Sequence, residues 1–459
     1  MNRFSIALMG IFLPLLVQPA SAMLTIDGQP LHLADAVALA QKNDPWLRAS
    51  LLEQQAYLAS SQAAATQPDP VVSMGFANLP TDTFDFDQEP MTQFKVGVSQ
   101  QFARGETLSL SRERLELMGS NEQHRRADRL ALVEANVTGL WLDVYLAAES
   151  IRVIESDRSL FEYLVDVAQS SYATAVGRTR QQDLVRAQLE LTRLDDRLAR
   201  LRQQADNAAA RLGEWLDKAP MAVIAGKAGT DGDAGKRSGA TLPVLPVVAP
   251  EQFLRDEPLD DAWLGSLLTQ HPRLRSLDNG IAVEQSGIAL AEQKYKPQWG
   301  LNANYGYRDD DPVMGDRADF FSVGVTFDLP LFTDNRQDKE VQSAIARTEA
   351  RRSDRVMLLR TLRAELNSQR ANYLRLRQRR ELYASQLLEQ MREQAEASLN
   401  AYTNNDGDFA EVVRARIAEL NTRIDALAID VELVRVAANL NYYLNGASYY
   451  NLAETGASS

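Results

Sequence analysis

The chain has 459 residues, no cysteine and a formal net charge of −13 at pH 7. Its length suits two or three ordinary domains or one elongated one. The negative charge argues against nucleic acid as a partner. Without cysteine, an exported chain has neither a disulfide framework nor the thioether-linked lipid of a lipoprotein.

The first 22 residues have the pattern of a secretory signal peptide. Arg3 supplies the positive charge, an apolar run follows it, and the small residues Ala20, Ser21 and Ala22 form a cleavage site. The apolar run is shorter than the ~20 residues that a membrane-spanning helix needs. We therefore expect residues 1–22 to be removed on export.

The rest of the chain reads as an internal duplication, which is best recognised before any fold is assigned. Asp44 matches His271, and the motif VGV at 96–98 recurs at 323–325, a shift of 323 − 96 = 227 residues. Each copy reads helix, strand, loop, strand, long helix, turn, long helix. The predicted divisions after the signal peptide are a first repeat at 23–218, a linker at 219–259, a second repeat at 260–447 and a flexible tail at 448–459.

Four long helices are predicted from apolar residues that alternate three and four positions apart, the spacing of a coiled-coil seam. Arg158 interrupts the outgoing helix of the first repeat, at about residues 106–174. Gln369 and Arg380 interrupt the outgoing helix of the second, at about 337–398, and both return helices are unbroken. At 1.5 Å per residue the first outgoing helix would be ~100 Å long, so we expect rods rather than a globular core.

Four shorter segments alternate apolar with small or polar residues, the pattern of β-strands with two different faces. They begin near Val72, Phe94, Trp299 and Phe321. Each is about nine or ten residues long, the length of a transmembrane strand. A soluble sheet packed on helices is the alternative, but the helices already bury their apolar seams against one another.

Four strands are too few to cross a membrane as a closed barrel. Lipid tolerates no open sheet edge, and membrane barrels have at least about eight strands. Several chains must therefore contribute strands to one barrel. Three chains would supply twelve.

The order of these helices and strands along the chain, and their repetition in its two halves, resemble the TolC family of outer-membrane efflux and secretion channels. The marks are LHLADAVALAQKNDPWLRAS at 31–50, the strand motif VGVSQQF, LWLDVYLAAESI at 140–151 and the two helical hairpins. The resemblance implies a mixed, mainly α fold in a homotrimer. Four transmembrane β-strands per chain would form a twelve-stranded barrel that continues into a periplasmic tunnel of coiled-coil helices.

The resemblance also implies a function and partners. The chain would be the outer-membrane channel of a tripartite efflux system in a Gram-negative bacterium. Its partners would be an inner-membrane pump of the resistance-nodulation-division (RND) type, a periplasmic adaptor and outer-membrane lipid. The sequence as a whole, including LNYYLNG near its end, favours a partner of RND pumps, among them the pumps that export heavy metals, so the expected process is heavy-metal or drug resistance. Type I secretion with an ABC exporter is the alternative within the family, and a soluble periplasmic coiled-coil adaptor or scaffold is the alternative outside it.

Family channels close at the tips of their helical hairpins, which match each other here at a shift of 228 residues. By resemblance, Asp183 and Glu411 are the candidates for the periplasmic gate, and Arg186 and Arg414 lie beside them. Three copies of Glu411 around a narrow axis would repel one another and attract cations.

The resemblance places adaptor docking at the tip turns, which contain Gly177, Asn405 and Gly407. Gly407 stands where the founding family member has an arginine that bonds to the residue matching Asp183. The family ion pair therefore needs a substitute in this chain. The candidate substitutes are Arg178, Arg180 and Arg414.

The sequence predicts no enzyme, cofactor or metal site. Its three histidines, His32, His124 and His271, are far apart and have no cysteine near them. No nucleophile elbow, phosphate-binding loop or dinucleotide fingerprint occurs. Because His271 matches Asp44, we expect it to act at the start of a helix rather than in catalysis.

Overall fold

The computed structural model describes residues 24–173 and 181–444, apart from 28, 219, 223–241, 248, 250, 311–314 and 405. The predicted signal peptide and tail lie outside the described residues. So do four predicted tip residues, which are Gly177, Arg178, Arg180 and Asn405. The described part is mainly helical and contains two small sheets.

The helices and strands of the described part follow one another in the order that the sequence predicts, with several short additions. The helices are α1 (Leu33–Asn43), α2 (Pro45–Ala64), α3 (Thr107–Ala173), α4 (Gln181–Leu216), α5 (Asp261–Thr269), α6 (Pro272–Gln293), α7 (Gln337–Leu382), α8 (Leu388–Thr403) and α9 (Phe409–Leu444). The strands are β1 (Leu24–Ile26), β2 (Gln29–Pro30), β3 (Val71–Ala77), β4 (Gln93–Gln101), β5 (Met221–Ala222), β6 (Trp299–Tyr307) and β7 (Phe320–Phe327).

The long helices confirm the predicted coiled-coil seams. α3 has 67 residues and packs along α4, while α9 packs along α7 and α8. The seam positions of α4 and α9 are buried or half-buried throughout. Arg158, which interrupts the seam of α3, stays partly exposed and forms ion pairs with Glu162 and Asp195. Its charge therefore remains in contact with water, and the core on either side is uninterrupted.

The second outgoing helix differs from the prediction because it is not one continuous α-helix. A π-helical turn at Tyr383–Leu387 separates α7 from α8, and α8 extends to Thr403 rather than ending near Ser398. Arg380, on the predicted seam, forms an ion pair with Asp430 of α9 at 2.8 Å. The irregular heptads and the local change of helical period thus occur in the same region.

The helices α2 and α6 each begin against the end of a long helical hairpin. The guanidinium of Arg129 lies 5.9 Å from the ring of Trp46, which begins α2, and 5.1 Å from the ring of Trp215, which ends α4. At the start of α6, the ring of His271 meets that of Tyr442 near the end of α9, with centroids 5.0 Å apart. Beyond these junctions α2, α3, α6 and α7 pack side by side as a wall that leads to the larger sheet.

The smaller sheet, of order β2-β1-β5, was not predicted. It joins the start of the described chain to the segment that follows α4. Next to it, Trp141 of α3 donates its indole N–H to the carbonyl of Leu31 at 3.2 Å. This attachment marks one side of α3 as the side that carries β1, β2 and α1.

One stretch within residues 107–170 of α3 is long and apolar enough to cross a membrane by length and composition. However, 61% of that stretch is buried inside the protein. Residues of α3 such as Val137 and Val144 pack in a core with side chains of α1, α4 and α9. The apolar character of α3 is therefore that of a core helix.

Candidate channel surfaces

The larger sheet is antiparallel and has the order β3-β4-β6-β7. The strand pair from the first half of the chain thus pairs directly with the strand pair from the second half. Val98 pairs with Val72 on one side and Ala303 on the other, and Ala303 pairs with Val323. Because cross-strand partners point to the same face, one row of apolar side chains crosses all four strands.

The apolar face of this sheet is exposed. The exposed fractions are 71% for Met74, 72% for Phe321, 60% for Val323 and 59% for Val325. The described part of the chain therefore leaves this face uncovered. A contiguous apolar surface of this kind marks contact with lipid or with another protein.

The opposite face is built from glycine and polar residues. Asn304 of β6 lies over Gly97 of β4, and Asn302 lies over Gly324 of β7. A Cβ atom at Gly324 would come within 2.6 Å of the Asn302 side-chain oxygen. The glycine of each VGV motif therefore makes room for an amide side chain from the neighbouring strand.

Aromatic side chains lie at both ends of the apolar face. Phe86, from the loop between β3 and β4, packs edge-on against Phe76 with centroids 5.9 Å apart and stacks on Tyr307 at 6.3 Å. At the other end, the rings of Trp299 and Phe327 are 5.0 Å apart. Aromatic girdles of this kind flank the apolar band of membrane barrels.

Two of the four strands have the predicted length, and the other two are slightly shorter. β4 and β6 have nine residues, whereas β7 has eight and β3 has seven. β3 ends early because the next residue, Asn78, adopts a φ of 58°. The Asn78 side chain then donates to the carbonyl of Met91 at 3.0 Å, which fixes the start of the loop.

The outer strands of the sheet, β3 and β7, each pair with one neighbour among the described residues. A free strand edge presents unpaired N–H and C=O groups and is a template for another strand. Hydrocarbon does not tolerate such an edge. The sheet of one chain is therefore incomplete as a membrane structure.

At the tip of the first hairpin, Asp183 and Arg186 lie at the start of α4. Asp183 is only 5% exposed, whereas Arg186 is exposed. A carboxylate in the first turn of a helix is stabilised by the helix dipole. The burial of Asp183 distinguishes it from an acid that merely keeps a helix end in water.

At the tip of the second hairpin, Glu411 and Arg414 form an ion pair at 2.8 Å within the first turns of α9. The Glu411 side chain is 47% exposed and that of Arg414 is 70% exposed. Asp183 and Glu411 thus share a position on their helices but differ in environment. Among the described gate candidates, Glu411 and Arg414 are the pair that the structure brings into contact.

The second turn contains two further features. A Cβ atom at Gly407 would lie 2.7 Å from the backbone nitrogen of Tyr402, so the turn has no room for a side chain there. Asp408 caps α9, because its carboxylate accepts from the N–H of Ala410 at 3.2 Å. Asp408 was not among the predicted tip residues, although the spacing between Asp408 and Glu411 is that of a capping box.

His271 caps α6, which confirms the expected helix-start function. Its Nδ1 accepts from the N–H of Arg273 at 3.3 Å, as Asp44 accepts from the N–H of Trp46 at 3.0 Å. The His271 side chain is buried, and this burial lowers its pKa to about 4. It is therefore neutral at neutral pH, the state in which Nδ1 can accept this bond.

The described part of the chain contains no group of three or more histidine or acidic side chains that could hold a metal ion. His32 lies at the exposed start of α1 and makes no side-chain capping bond. His124 is half-buried on α3, and its burial lowers its pKa. The three histidines thus occupy separate places in the fold.

Solved outer-membrane proteins have this architecture. The outer membrane protein VceC from Vibrio cholerae matches with a TM-score of 0.69 at 13% identity, over 90% of this chain and 95% of VceC. The CmeC outer membrane channel from Campylobacter jejuni matches with a TM-score of 0.69 at 12% identity, over 93% and 89%. The MtrE outer membrane channel from Neisseria gonorrhoeae, in its open state, matches with a TM-score of 0.63 at 14% identity, over 90% and 88%. No protein-family model and no curated protein matches the sequence.

Proposed function

We propose that this chain, which has the fold of the TolC-family outer-membrane channels, is the outer-membrane channel of a tripartite efflux system. The observation that carries the proposal is the sheet, with one exposed apolar face, one polar face and two open edges. In a homotrimer, β7 of one chain pairs with β3 of the next, and twelve strands close into a barrel. The apolar face then contacts lipid, and the polar face lines water.

The remaining segments of the chain serve export, the periplasmic tunnel and contacts with partner proteins. The signal peptide at 1–22 directs export, and the repeats at 23–218 and 260–447 each supply one strand pair and one helical hairpin. The hairpins extend into the periplasm of a Gram-negative bacterium for ~100 Å. The protein carries no lipid anchor on cysteine, because it has no cysteine. An RND-type pump in the inner membrane supplies the energy, and a periplasmic adaptor docks at the turns with Gly177, Asn405 and Gly407.

The gate in this proposal lies at the hairpin tips. Its residues are Asp183 and Glu411, with Arg186 and Arg414 beside them. The burial of Asp183 supports a function in holding the tip closed, because a buried carboxylate requires compensating polar contacts. The ion pair between Glu411 and Arg414 reduces the negative charge that three chains would present at the axis. Arg178 and Arg180 are the candidate partners of Asp183.

The proposal is tested by mass, location and conductance together. The chain is expressed with its signal peptide, the inner and outer membranes are separated, and the protein mass of the detergent-extracted particle is measured by light scattering. We expect a particle of three chains from the outer membrane that conducts ions in planar bilayers. A soluble monomer or dimer would mean that the strands form an ordinary sheet, as in a periplasmic scaffold.

The class of partner pump needs its own test. The chain is expressed in cells that lack an outer-membrane channel, together with either an RND pump and its adaptor or an ABC exporter and its adaptor. Restored drug or metal-ion resistance with the RND pair is the expected result. Restored protein secretion with the ABC pair alone would instead assign the chain to type I secretion.

A further inference from the structure

A cavity of about 630 Å³ lies between α3, α6 and α7, with α2 at its edge. Its wall combines basic and apolar side chains. The basic residues are Arg114, Arg125, Arg273 and Arg351. The large apolar residues are Met118, Leu277, Val283, Met357 and Leu358.

Three acidic side chains also line this cavity, and two of them are already paired. Glu122 bonds to Arg125 at 2.6 Å, and Asp354 lies 3.6 Å from Arg351. Glu284 forms no ion pair within the described part of the chain. Four basic and three acidic residues leave a net charge of +1 here, in a protein whose net charge is −13.

The main evidence for a ligand is a polar atom of Arg114 that is unpaired within the described part of the chain. Its Nε–H is buried and has no hydrogen-bond partner among the described residues. Two helical turns further along the same face, the side-chain oxygen of Asn121 is also buried and without a partner in the described chain. Buried polar atoms are nearly always hydrogen-bonded. Two such atoms in the wall of one cavity therefore indicate that a polar group from outside the chain binds there.

The chemistry of the two atoms defines that group. A carboxylate or sulfonate can accept from Nε–H and Nη–H of one arginine side by side, which is the strong bidentate geometry. The oxygen of Asn121 can accept from a hydroxyl of the same molecule. We propose that this cavity binds an amphipathic organic anion, with its charged end on Arg114 and its apolar body against Met118, Leu277 and Met357.

The position of α2 supports a defined binding site. Gly119 of α3 faces Tyr57 of α2, and a Cβ atom at 119 would lie 3.3 Å from the Tyr57 Cβ. The glycine therefore allows α2 to approach α3 closely. This approach places Tyr57 at the rim of the cavity, where its ring adds apolar surface.

The cavity opens on the side of α3 that faces away from β1, β2 and α1. Trp141 marks the side to which these elements attach. Arg114 and Asn121 precede it by 141 − 114 = 27 and 141 − 121 = 20 residues, which at ~100° per residue places them on roughly the opposite side of the helix. The binding inference does not depend on the proposed function.

Binding is tested with the full chain reconstituted in lipid nanodiscs, by equilibrium dialysis against labelled 6-hydroxy-2-naphthoate, which carries both a carboxylate and a hydroxyl. Its neutral counterpart, the alcohol 6-(hydroxymethyl)-2-naphthol, and empty nanodiscs are the blanks. The test variant is Arg114→Gln. A second variant, Arg114→Lys, keeps the positive charge but loses the two parallel N–H donors of the guanidinium. The matched control is Arg112→Gln on the same helix, because Arg112 is exposed and pairs with Glu116 at 2.7 Å outside the cavity. Helix content by circular dichroism verifies that each variant is folded.

We expect saturable binding of 6-hydroxy-2-naphthoate to the unaltered chain and to Arg112→Gln. We expect at least tenfold weaker binding to folded Arg114→Gln, an intermediate affinity for Arg114→Lys, and no saturable binding of the alcohol. Equal binding to Arg114→Gln and Arg112→Gln would overturn the site, as would equal binding of the acid and the alcohol. No saturable binding to the unaltered chain would show that water alone satisfies Arg114 and Asn121. Each of these results is independent of conductance, so failure of the site and failure of the channel proposal are distinguishable.

Discussion

Gly407 lies directly against the backbone of Tyr402. A Cβ atom at position 407 would be 2.7 Å from the Tyr402 nitrogen and 3.0 Å from the carbonyl carbon of Ala401. Both are main-chain atoms, so neither can move aside as a flexible side chain would. An arginine side chain therefore has no room at position 407 in this turn, and the proposed gate relies on other residues.

Replacing Gly407 by alanine tests this close approach. We expect Gly407→Ala to destabilise the protein by about 1–3 kcal/mol, the usual range for overpacking. The matched control is Gly265→Ala in α5, where an added Cβ would meet nothing within 4 Å. That change should stabilise the helix by ~0.5–1 kcal/mol. Thermal melting followed by circular dichroism measures both, and equal shifts would contradict the account of the turn.

Neutralising Asp183 tests the gate. We expect Asp183→Asn to raise the basal conductance of the closed channel several-fold. The polar interactions of a buried charged group contribute roughly 1–3 kcal/mol, and the neutral amide would lose much of this stabilisation of the closed tip. Glu411→Gln should have a smaller effect, since Glu411 is half-exposed and pairs within its own helix. The control is Asp196→Asn on α4, where Asp196 is exposed and pairs with Arg200 of the same helix. Unchanged conductance in Asp183→Asn would remove this residue from the gate.

Charges on the two faces of the sheet should have opposite consequences. Val323→Arg places a charge on the apolar face and is expected to destabilise the membrane-inserted protein by about 2–4 kcal/mol. Ser322→Arg, one residue away on the polar face, should be tolerated. The amount of assembled protein in outer-membrane fractions distinguishes the two. Equal loss with both variants, or with neither, would be inconsistent with lipid on one face only.

The burial of His271 predicts a dependence of stability on pH. Its pKa in the folded state is about 4, below the value of 6.5 for an exposed histidine. Between these values the unfolded chain binds a proton that the folded chain does not, so stability is complete above pH 6.5 and falls as the pH decreases towards 4. The loss attributable to this group is about 3 kcal/mol.

The variant His271→Asn isolates this contribution, because asparagine is a good helix cap without a titrating ring. Denaturant unfolding at pH 7 and pH 4.5 should show a smaller acid loss for His271→Asn than for the unaltered chain. Asp128, whose pKa is raised by burial, titrates in the opposite sense but is common to both proteins. His32→Asn, at the exposed start of α1, should behave like the unaltered chain. An unchanged acid loss in His271→Asn would contradict the assignment.

Much of the fold follows from periodicity. The heptads of α4 and α9 predict which side chains are buried, and alternation predicts the two faces of each strand, because both patterns report a single buried or lipid-facing surface. The matching of Asp44 with His271 also predicts that both cap helices, although one is acidic and the other is not. The first two signals lie in residues close together in the sequence, and the third lies in the duplication of the chain.

Features that depend on distant contacts could not be predicted in this way. Asp183 and Glu411 match in sequence, yet one is buried and the other half-exposed, because their burial depends on packing between helices. The small sheet of β1, β2 and β5 consists of strands of two or three residues, too short for a periodic signal. The cavity beside Arg114 joins four helices, and nothing in the local sequence of α3 distinguishes this arginine from its exposed neighbour Arg112.

We propose that each chain contributes four strands to a shared barrel, and cross-linking between strands of neighbouring chains tests this arrangement. Ser73 on β3 and Ser322 on β7 lie on the polar face, three strand spacings or ~14 Å apart within one chain. The chain has no native cysteine, so Ser73→Cys combined with Ser322→Cys introduces one reactive pair. We expect a short bis-maleimide to convert this double variant in outer membranes to cross-linked trimers, whereas either single variant should give no trimer. A double variant that reaches the outer membrane but yields only monomers would contradict the shared barrel.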